Sequence, residues 1–299
     1  MPPWLVEQLI THAKSLFGFT TDIEITAEAN PTSVEANSML EFRQAGVNRV
    51  SMGVQSLDDA DLKFLGREHS AADALAALDT VRTAFDVISI DLIYALPNQS
   101  AKAWRTMLEK VLSLQLRHLS LYQLTIENGT IFYTRQRKGE VMALDNDHAA
   151  DLYEITQDMT TAAGLPAYEI SNHAAVGQEC RHNLTYWKGG DWIGVGPGAH
   201  GRFATFDSEQ NCVSRTATII RCGPTGWLDT VNKLGHGIEK KENNKPQDWA
   251  HELVMMGLRI KDGIHLDAIK ALCGPVDCWL DFTNVYRCVE AGWLHYDRA

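Results

Sequence analysis

Val87-Ile-Ser-Ile-Asp91-Leu-Ile-Tyr-Ala-Leu-Pro97 is an apolar run interrupted by one acid and closed by a proline. Three more runs in the first 125 residues share its design: Ile23-Glu-Ile-Thr-Ala-Glu28-Ala-Asn-Pro31, Arg49-Val-Ser-Met-Gly-Val-Gln55-Ser56 and Leu119-Ser-Leu-Tyr122-Gln-Leu-Thr-Ile-Glu127. Their length, their β-branched and aromatic content and the turn residues around them predict four strands. Helix-length segments separate them. Strand starts near 23, 49, 87 and 118 leave about 30 residues per unit, the spacing of a right-handed βαβ crossover. The expectation is an α/β fold of consecutive parallel strands whose polar residues gather at the carboxyl ends, where such sheets bind ligands.

The intervening helices carry their own punctuation. A periodic segment from 3 to 17 has prolines at its first turn, where a missing N–H is harmless. Thr32-Ser-Val-Glu35 reads as a capping box for a helix that stops at Gly46. Asp58 caps a short helix ending near Gly66, Ser70 starts one running to about Phe85, and Ser100 one running to about Leu114. A helix from about Asp147 to Ala163 precedes Leu165-Pro-Ala-Tyr-Glu-Ile170, read as a further strand, and then a loop-rich stretch of His, Asn, Gly and aromatic residues. Residues 204–222 alternate like a hairpin. Glu239-Lys-Lys-Glu-Asn-Asn-Lys-Pro246 has the composition of a solvated linker, and a helix follows from Asp248 to about Ile260. These textures divide the chain into a parallel-sheet domain, residues 1–205, and a small, mostly helical domain, residues 206–299.

Composition narrows the class of partner. The 299 residues are 45% apolar, enough for a full core. With 38 acidic against 27 basic residues the net charge is -11, which weighs against nucleic acid or an anionic membrane as the main partner. The opening residues lack the basic and apolar regions of a signal peptide, and no run reaches the roughly 18 apolar residues of a membrane span, so the cytoplasm is the expected compartment. Cys180, Cys212, Cys222, Cys273, Cys278 and Cys288 have neither zinc-ribbon nor ferredoxin spacing and read as free thiols.

The strand ends carry the chemistry. Glu28 and Asp91 lie where a carboxylate can hold an ammonium group or a ribose diol, Gln55 offers both a donor and an acceptor, and Arg67 follows the short helix after Gln55. Together they suit a zwitterion joined to a sugar. Taken singly, each is equally at home as a helix cap or a solvated loop residue.

Glu28-Ala-Asn-Pro31, Met52-Gly-Val-Gln-Ser56, Gly66-Arg67 and Ile90-Asp-Leu-Ile-Tyr-Ala-Leu-Pro97 closely resemble the motifs of radical S-adenosylmethionine proteins of the oxygen-independent coproporphyrinogen oxidase type. The resemblance runs through essentially the whole chain. It implies a partial parallel (β/α)6 barrel with contacts to S-adenosylmethionine at Glu28, Gln55, Arg67 and Asp91, and Ile93 as an apolar neighbour of the adenine. The residue chemistry and the resemblance converge on the same four polar side chains.

Arg181-His-Asn-Leu-Thr-Tyr-Trp187 contains His-Asn-x-x-Tyr-Trp, similar to the signature of the haem-chaperone branch of that family. A neutral imidazole is a good axial ligand for iron, Asn183 can orient it, and Tyr186 and Trp187 offer flat faces to a macrocycle. A loop histidine bonded to a backbone carbonyl is the plainer alternative. The resemblance implies His182 as the haem-iron ligand and Tyr186 and Trp187 as haem contacts, with His173 and His200 as competing histidines. In Gly194-Val-Gly-Pro-Gly-Ala-His200 three glycines permit tight turns or close approach to a cofactor, but the Lys and Ser/Thr of a phosphate loop are missing.

The resemblance further implies a 4Fe-4S cluster on a Cys-x3-Cys-x2-Cys loop and a Gly-Gly-Gly-Thr-Pro motif for the methionine amino group; the 299 residues contain neither. Met1-Pro-Pro-Trp-Leu-Val-Glu-Gln-Leu resembles the helix that follows that glycine motif. The expectation is therefore a chain that starts at an internal methionine, without the first barrel strands. Lacking three thiolates it is not expected to catalyse radical chemistry, and an open sheet edge predicts a marginal, aggregation-prone fragment. Three functions stand: a haem chaperone serving respiratory apoproteins, an oxidase that decarboxylates the propionates of coproporphyrinogen III, and an inert or purely interacting remnant. His182-Asn183-x-x-Tyr186-Trp187 favours the first over the second. The implied partners are haem, S-adenosylmethionine and haem-accepting respiratory proteins at the membrane, with a homodimer left open.

Overall fold

The four expected strands form and pair in parallel: β1 (Thr26–Ala29), β2 (Arg49–Gln55), β3 (Ile88–Tyr94) and β4 (His118–Gln123), in that order across the sheet. The computed structural model describes residues 1–206 and 212–297. Helix α1 (Pro3–Phe17) precedes β1 and α2 (Ala36–Gln44) follows it; α3 (Asp59–Phe64) and α4 (Ala71–Arg82) follow β2, and α5 (Ala101–Ser113) follows β3. After β4 come α6 (Ile131–Arg137) and α7 (Asn146–Ala162), and β5 (Asn172–Ala174) closes the sheet antiparallel to β4.

Register decides the chemistry of this sheet, because successive side chains of a strand point to opposite faces. On one face Val50, Met52, Ile90, Leu92, Leu119 and Leu121 join Leu78 and Val81 of α4 and Leu108 and Val111 of α5 in the core. Trp104 of α5 is buried there, stacked on Tyr94 at 4.8 Å, with its Nε1 donating to Thr156 Oγ1 of α7 at 2.8 Å. The opposite face, one residue out of step, presents Arg49, Ser51, Ser89, Asp91, His118 and Ser120. One row runs Glu28, Ser51, Ser89, His118, and the next runs Asp91, Ser120, Asn172.

Several boundaries differ from the sequence reading. The capping box at Thr32–Glu35 does not form: Asn30 Oδ1 accepts from the Thr32 N–H, closing a 3-10 turn at Pro31–Ser33, and α2 begins only after Glu35. The strand expected at 165–170 moves to β5, since Pro166 has no N–H for a ladder and only an isolated Ala167–His173 bridge remains. The stretch around 181–187 is not a loop but a helix, α8 (Arg181–Trp187).

By its contacts the chain divides into two units, Met1–Cys180 and Arg181–Ala299, rather than at 205/206. The reason is strand pairing. β6 (His200–Phe206) joins β7 (Cys212–Ile220) and β8 (Ile238–Asn244) in a separate antiparallel sheet, not the parallel one. The expected hairpin is β6–β7, and its connecting residues 207–211 lie outside the described ones. β8 occupies the segment read as a linker: it is an edge strand whose side chains are nearly all exposed, so its composition looks solvated while its main chain is paired. Helices α9 (Pro224–Leu234), α10 (Pro246–Gly257), α11 (Leu266–Cys273) and α12 (Phe282–Glu290) complete this unit.

Candidate functional site

Glu28 and Gln55 lie at or near the carboxyl ends of β1 and β2, whereas Asp91, expected at a strand end, sits in the middle of β3, and Arg67 lies beyond α3. Gln55 ends β2 at φ +68°, where the pairing with β3 slips between Met52 and Gln55. A left-handed backbone is uncommon for glutamine and re-aims its side chain. Gly53 leaves it room: a Cβ there would lie 2.7 Å from Gln55 Nε2. Arg67 is exposed beyond α3, its N–H bonded to the Leu62 carbonyl at 2.9 Å. Two residues on, buried His69 donates from Nε2 to the Val54 carbonyl at 3.0 Å, tying the Arg67 loop to the end of β2. Sequence reasoning missed that tether.

Asp91 is half-buried beneath a relay of hydroxyls. Ser89 Oγ donates to Ser51 Oγ at 2.8 Å, and Ser51 Oγ donates to the Asp91 carboxylate at 3.0 Å. Burial pushes its carboxyl above the usual range; hydrogen bonds from Ser120 and Ser51 oppose this, the exposed Glu28 carboxylate adds to it and Arg49 opposes it. Glu28 and Asp91 therefore share one electrostatic environment rich in acceptors, suited to an ammonium group or a diol. Next to them the Tyr122 phenol is raised by burial and by Asp91, with Ser120 and Asn172 as hydrogen-bond partners. Asn172 Nδ2 donates in turn to buried Glu169.

Deeper on the same face Arg49 and Glu24 form a shielded ion pair at 3.4 Å. His118 Nε2 meets the Tyr168 hydroxyl at 2.9 Å, and burial, with Arg49 and His173 nearby, lowers this histidine to about 3. None of Arg49, Ser51, Ser89, His118 and Ser120 stood out in the sequence. Their signal was the alternation of polar residues at every second position within runs otherwise read as apolar.

In the second unit α8 gathers the His-Asn-x-x-Tyr-Trp residues on two helix faces. His182 and Tyr186, four apart, share one: the His182 imidazole is exposed, its Nε2 lies 2.9 Å from the Tyr186 hydroxyl, and Tyr186 meets Trp192 edge-on at 4.6 Å. Trp187 faces elsewhere, lining a cavity with α10 and α11 under the Arg259 guanidinium, 5.2 Å from its ring. Buried Arg215 of β7 pins the end of α8, donating to the Gly189 and Gly190 carbonyls at 2.6 Å each and stacking on Trp249 at 4.6 Å. Of the competing histidines, His173 is fully buried, bonded to Thr160 Oγ1 at 3.0 Å and lowered by burial to about 4, so no macrocycle reaches it. His200 opens β6. The glycine run before it serves chain folding: a Cβ on Gly194 would lie 2.2 Å from the His200 carbonyl oxygen.

Among the described residues no three His, Cys, Asp or Glu side chains converge as a metal site. A single axial ligand to haem iron is a smaller demand, which an exposed imidazole meets. Nor, among the described residues, is any helix long and apolar enough to cross a membrane.

Residues 3–111 match the family model of the radical SAM superfamily. The chain is 42% identical over 244 residues to the mouse (Mus musculus) mitochondrial radical S-adenosyl methionine domain-containing protein 1, covering 81% of this chain and 55% of that protein. It thus spans about half the length of such relatives. With the heme chaperone HemW of Escherichia coli (strain K12) it shares 34% identity over 275 residues, 91% of this chain and 69% of that protein. The solved structure of coproporphyrinogen III oxidase (HemN) from Escherichia coli, a radical SAM enzyme, superposes with a TM-score of 0.75 at 19% identity, covering 99% of this chain and 70% of that one, a likeness of fold. The parallel sheet, the motifs along its carboxyl edge and the extent of the match to HemW together place the chain: it belongs to the HemW-like family of radical S-adenosylmethionine proteins.

Proposed function

We propose that this protein is a haem chaperone of the HemW type, binding haem at α8 and passing it to respiratory apoproteins at the membrane from the cytoplasmic side. The observation that carries the reading is the exposed His182 imidazole, one hydrogen bond from the Tyr186 hydroxyl. A partner on one ring nitrogen makes the other more basic as a ligand. Tyr186 and Trp187 supply aromatic surface on either side of α8. S-adenosylmethionine belongs, on this reading, at the edge of the parallel sheet: Glu28 and Asp91 accept from its ammonium and ribose hydroxyls, Gln55 and Arg67 donate to its carboxylate, and Ile93 lies beside the adenine. The coproporphyrinogen oxidase alternative rests on likeness of fold, whereas the α8 motif favours the chaperone.

Titration with haem, followed by the Soret band, tests this. Wild type is expected to give a shifted, saturable band that His182→Ala loses; identical spectra for the two would remove His182 from the haem site. No saturable band in either would leave the inert-remnant reading.

A further inference from the structure

We infer that the cavity between α8, α10 and α11 seats one carboxyethyl arm of the tetrapyrrole, with Lys188 as the partner of its carboxylate. This rests on the haem reading above and deepens it by separating the site that holds iron from the site that recognises the ligand's acidic edge.

The size of the cavity argues first. It has a volume of about 120 Å³ and opens to solvent on one side. Two methylenes and a carboxylate fit within it. Its walls suit the arm: Trp187, Leu253, Ile260 and Ala268 are apolar, and Lys188 and Asp262 bring charge to the lining.

Charge argues next. The whole of the net -11 falls on Met1–Cys180, with 13 basic and 24 acidic residues, whereas Arg181–Ala299 has 14 of each. A dianionic ligand meets no net repulsion from the second unit. There Lys188 Nζ is held by Asp262 at 2.9 Å, with the two side chains 50% and 63% exposed. An ion pair this exposed is weak and easily exchanged, so a ligand carboxylate can take the place of Asp262. Lys188 directly follows Trp187 at the end of α8 and lines the same cavity. Arg259, over the Trp187 ring, adds a second cation beside the same wall.

The test compares haem with haem dimethyl ester, in which both carboxylates are masked, by Soret titration of the full chain. Lys188→Ala is expected to weaken haem binding about tenfold, the worth of one charge-assisted hydrogen bond, and to leave the ester unaffected. Asp262→Ala, which frees Lys188, should tighten haem and again leave the ester unaffected, a gain that a misfolded variant would not show. Equal binding of haem and ester by wild type, or equal shifts for both ligands in either variant, would overturn the inference while the haem reading stands. If the wild-type Soret shift does not depend on His182, the haem reading falls and this inference falls with it.

Discussion

Asp91 shows how much one position on a strand can carry. Its carboxyl lies above the ordinary range chiefly through burial, so the fold disfavours its ionised form at neutral pH. A raised acid value means that Asp91 subtracts stability above that value, and that the loss is recovered as pH falls through it. Asp91→Asn is therefore expected to raise the melting temperature at pH 7, with the advantage fading toward pH 4, while weakening S-adenosylmethionine binding in calorimetric titration. Glu28 and Gln55 were legible in the sequence because polar groups at the ends of apolar strands are conspicuous, and Asp91 because it is the one acid within an apolar run. The Ser89–Ser51–Asp91 relay was not. It exists only once parallel register sets those strands side by side, and the left-handed turn at Gln55 depends on a slip in pairing that composition does not encode.

Elements were legible where local signals were complete. Ser70 and Asp73 form a reciprocal capping box at α4, and Ser70→Ala should cost about 1 kcal/mol in denaturant unfolding. Helix α8 was hidden for the opposite reason: it is short, and a side chain distant in sequence holds its end. Arg215, from β7, occupies the two carbonyls just past it. Arg215→Ala is expected to destabilise the Arg181–Ala299 unit by about 3 kcal/mol, since hydrogen bonds to a charged group are the strong ones, and to weaken haem binding by loosening α8. Arg215→Lys, which cannot reach both carbonyls, should restore only part of either quantity. β8 was misread because every cue that names a strand lies in its side chains, and these are in water.

At the scale of the whole molecule, pH acts through buried imidazoles. His118 and His173 are held near 3 and 4 in the fold, against about 6.5 unfolded. Their neutral forms stabilise fully above about pH 6.5, and that contribution is lost as pH falls toward 4, with a slope approaching about 1.4 kcal/mol per pH unit for each histidine. Asp91 opposes this over the interval where its own proton binds. Urea unfolding at pH 7.5 and pH 5 should show the loss, and His118→Asn should flatten it. Association is the second whole-molecule expectation. Edge strand β1 is only four residues long, and α1 exposes Trp4, Leu16 and Phe17 at 60%, 62% and 67%. Wild type should elute as larger species in gel filtration than a variant with these three changed to glutamine. The buried polar face of the parallel sheet has a thermal consequence too. Unfolding wets Arg49, Ser89, His118, Ser120 and Asn172 together with the aliphatic core, and newly hydrated polar surface lowers heat capacity while apolar surface raises it. The Met1–Cys180 unit should therefore unfold with a calorimetric step below the customary 12–15 cal/mol/K per residue, at about the lower figure or less, and its stability should bend only gently with temperature on either side of its maximum.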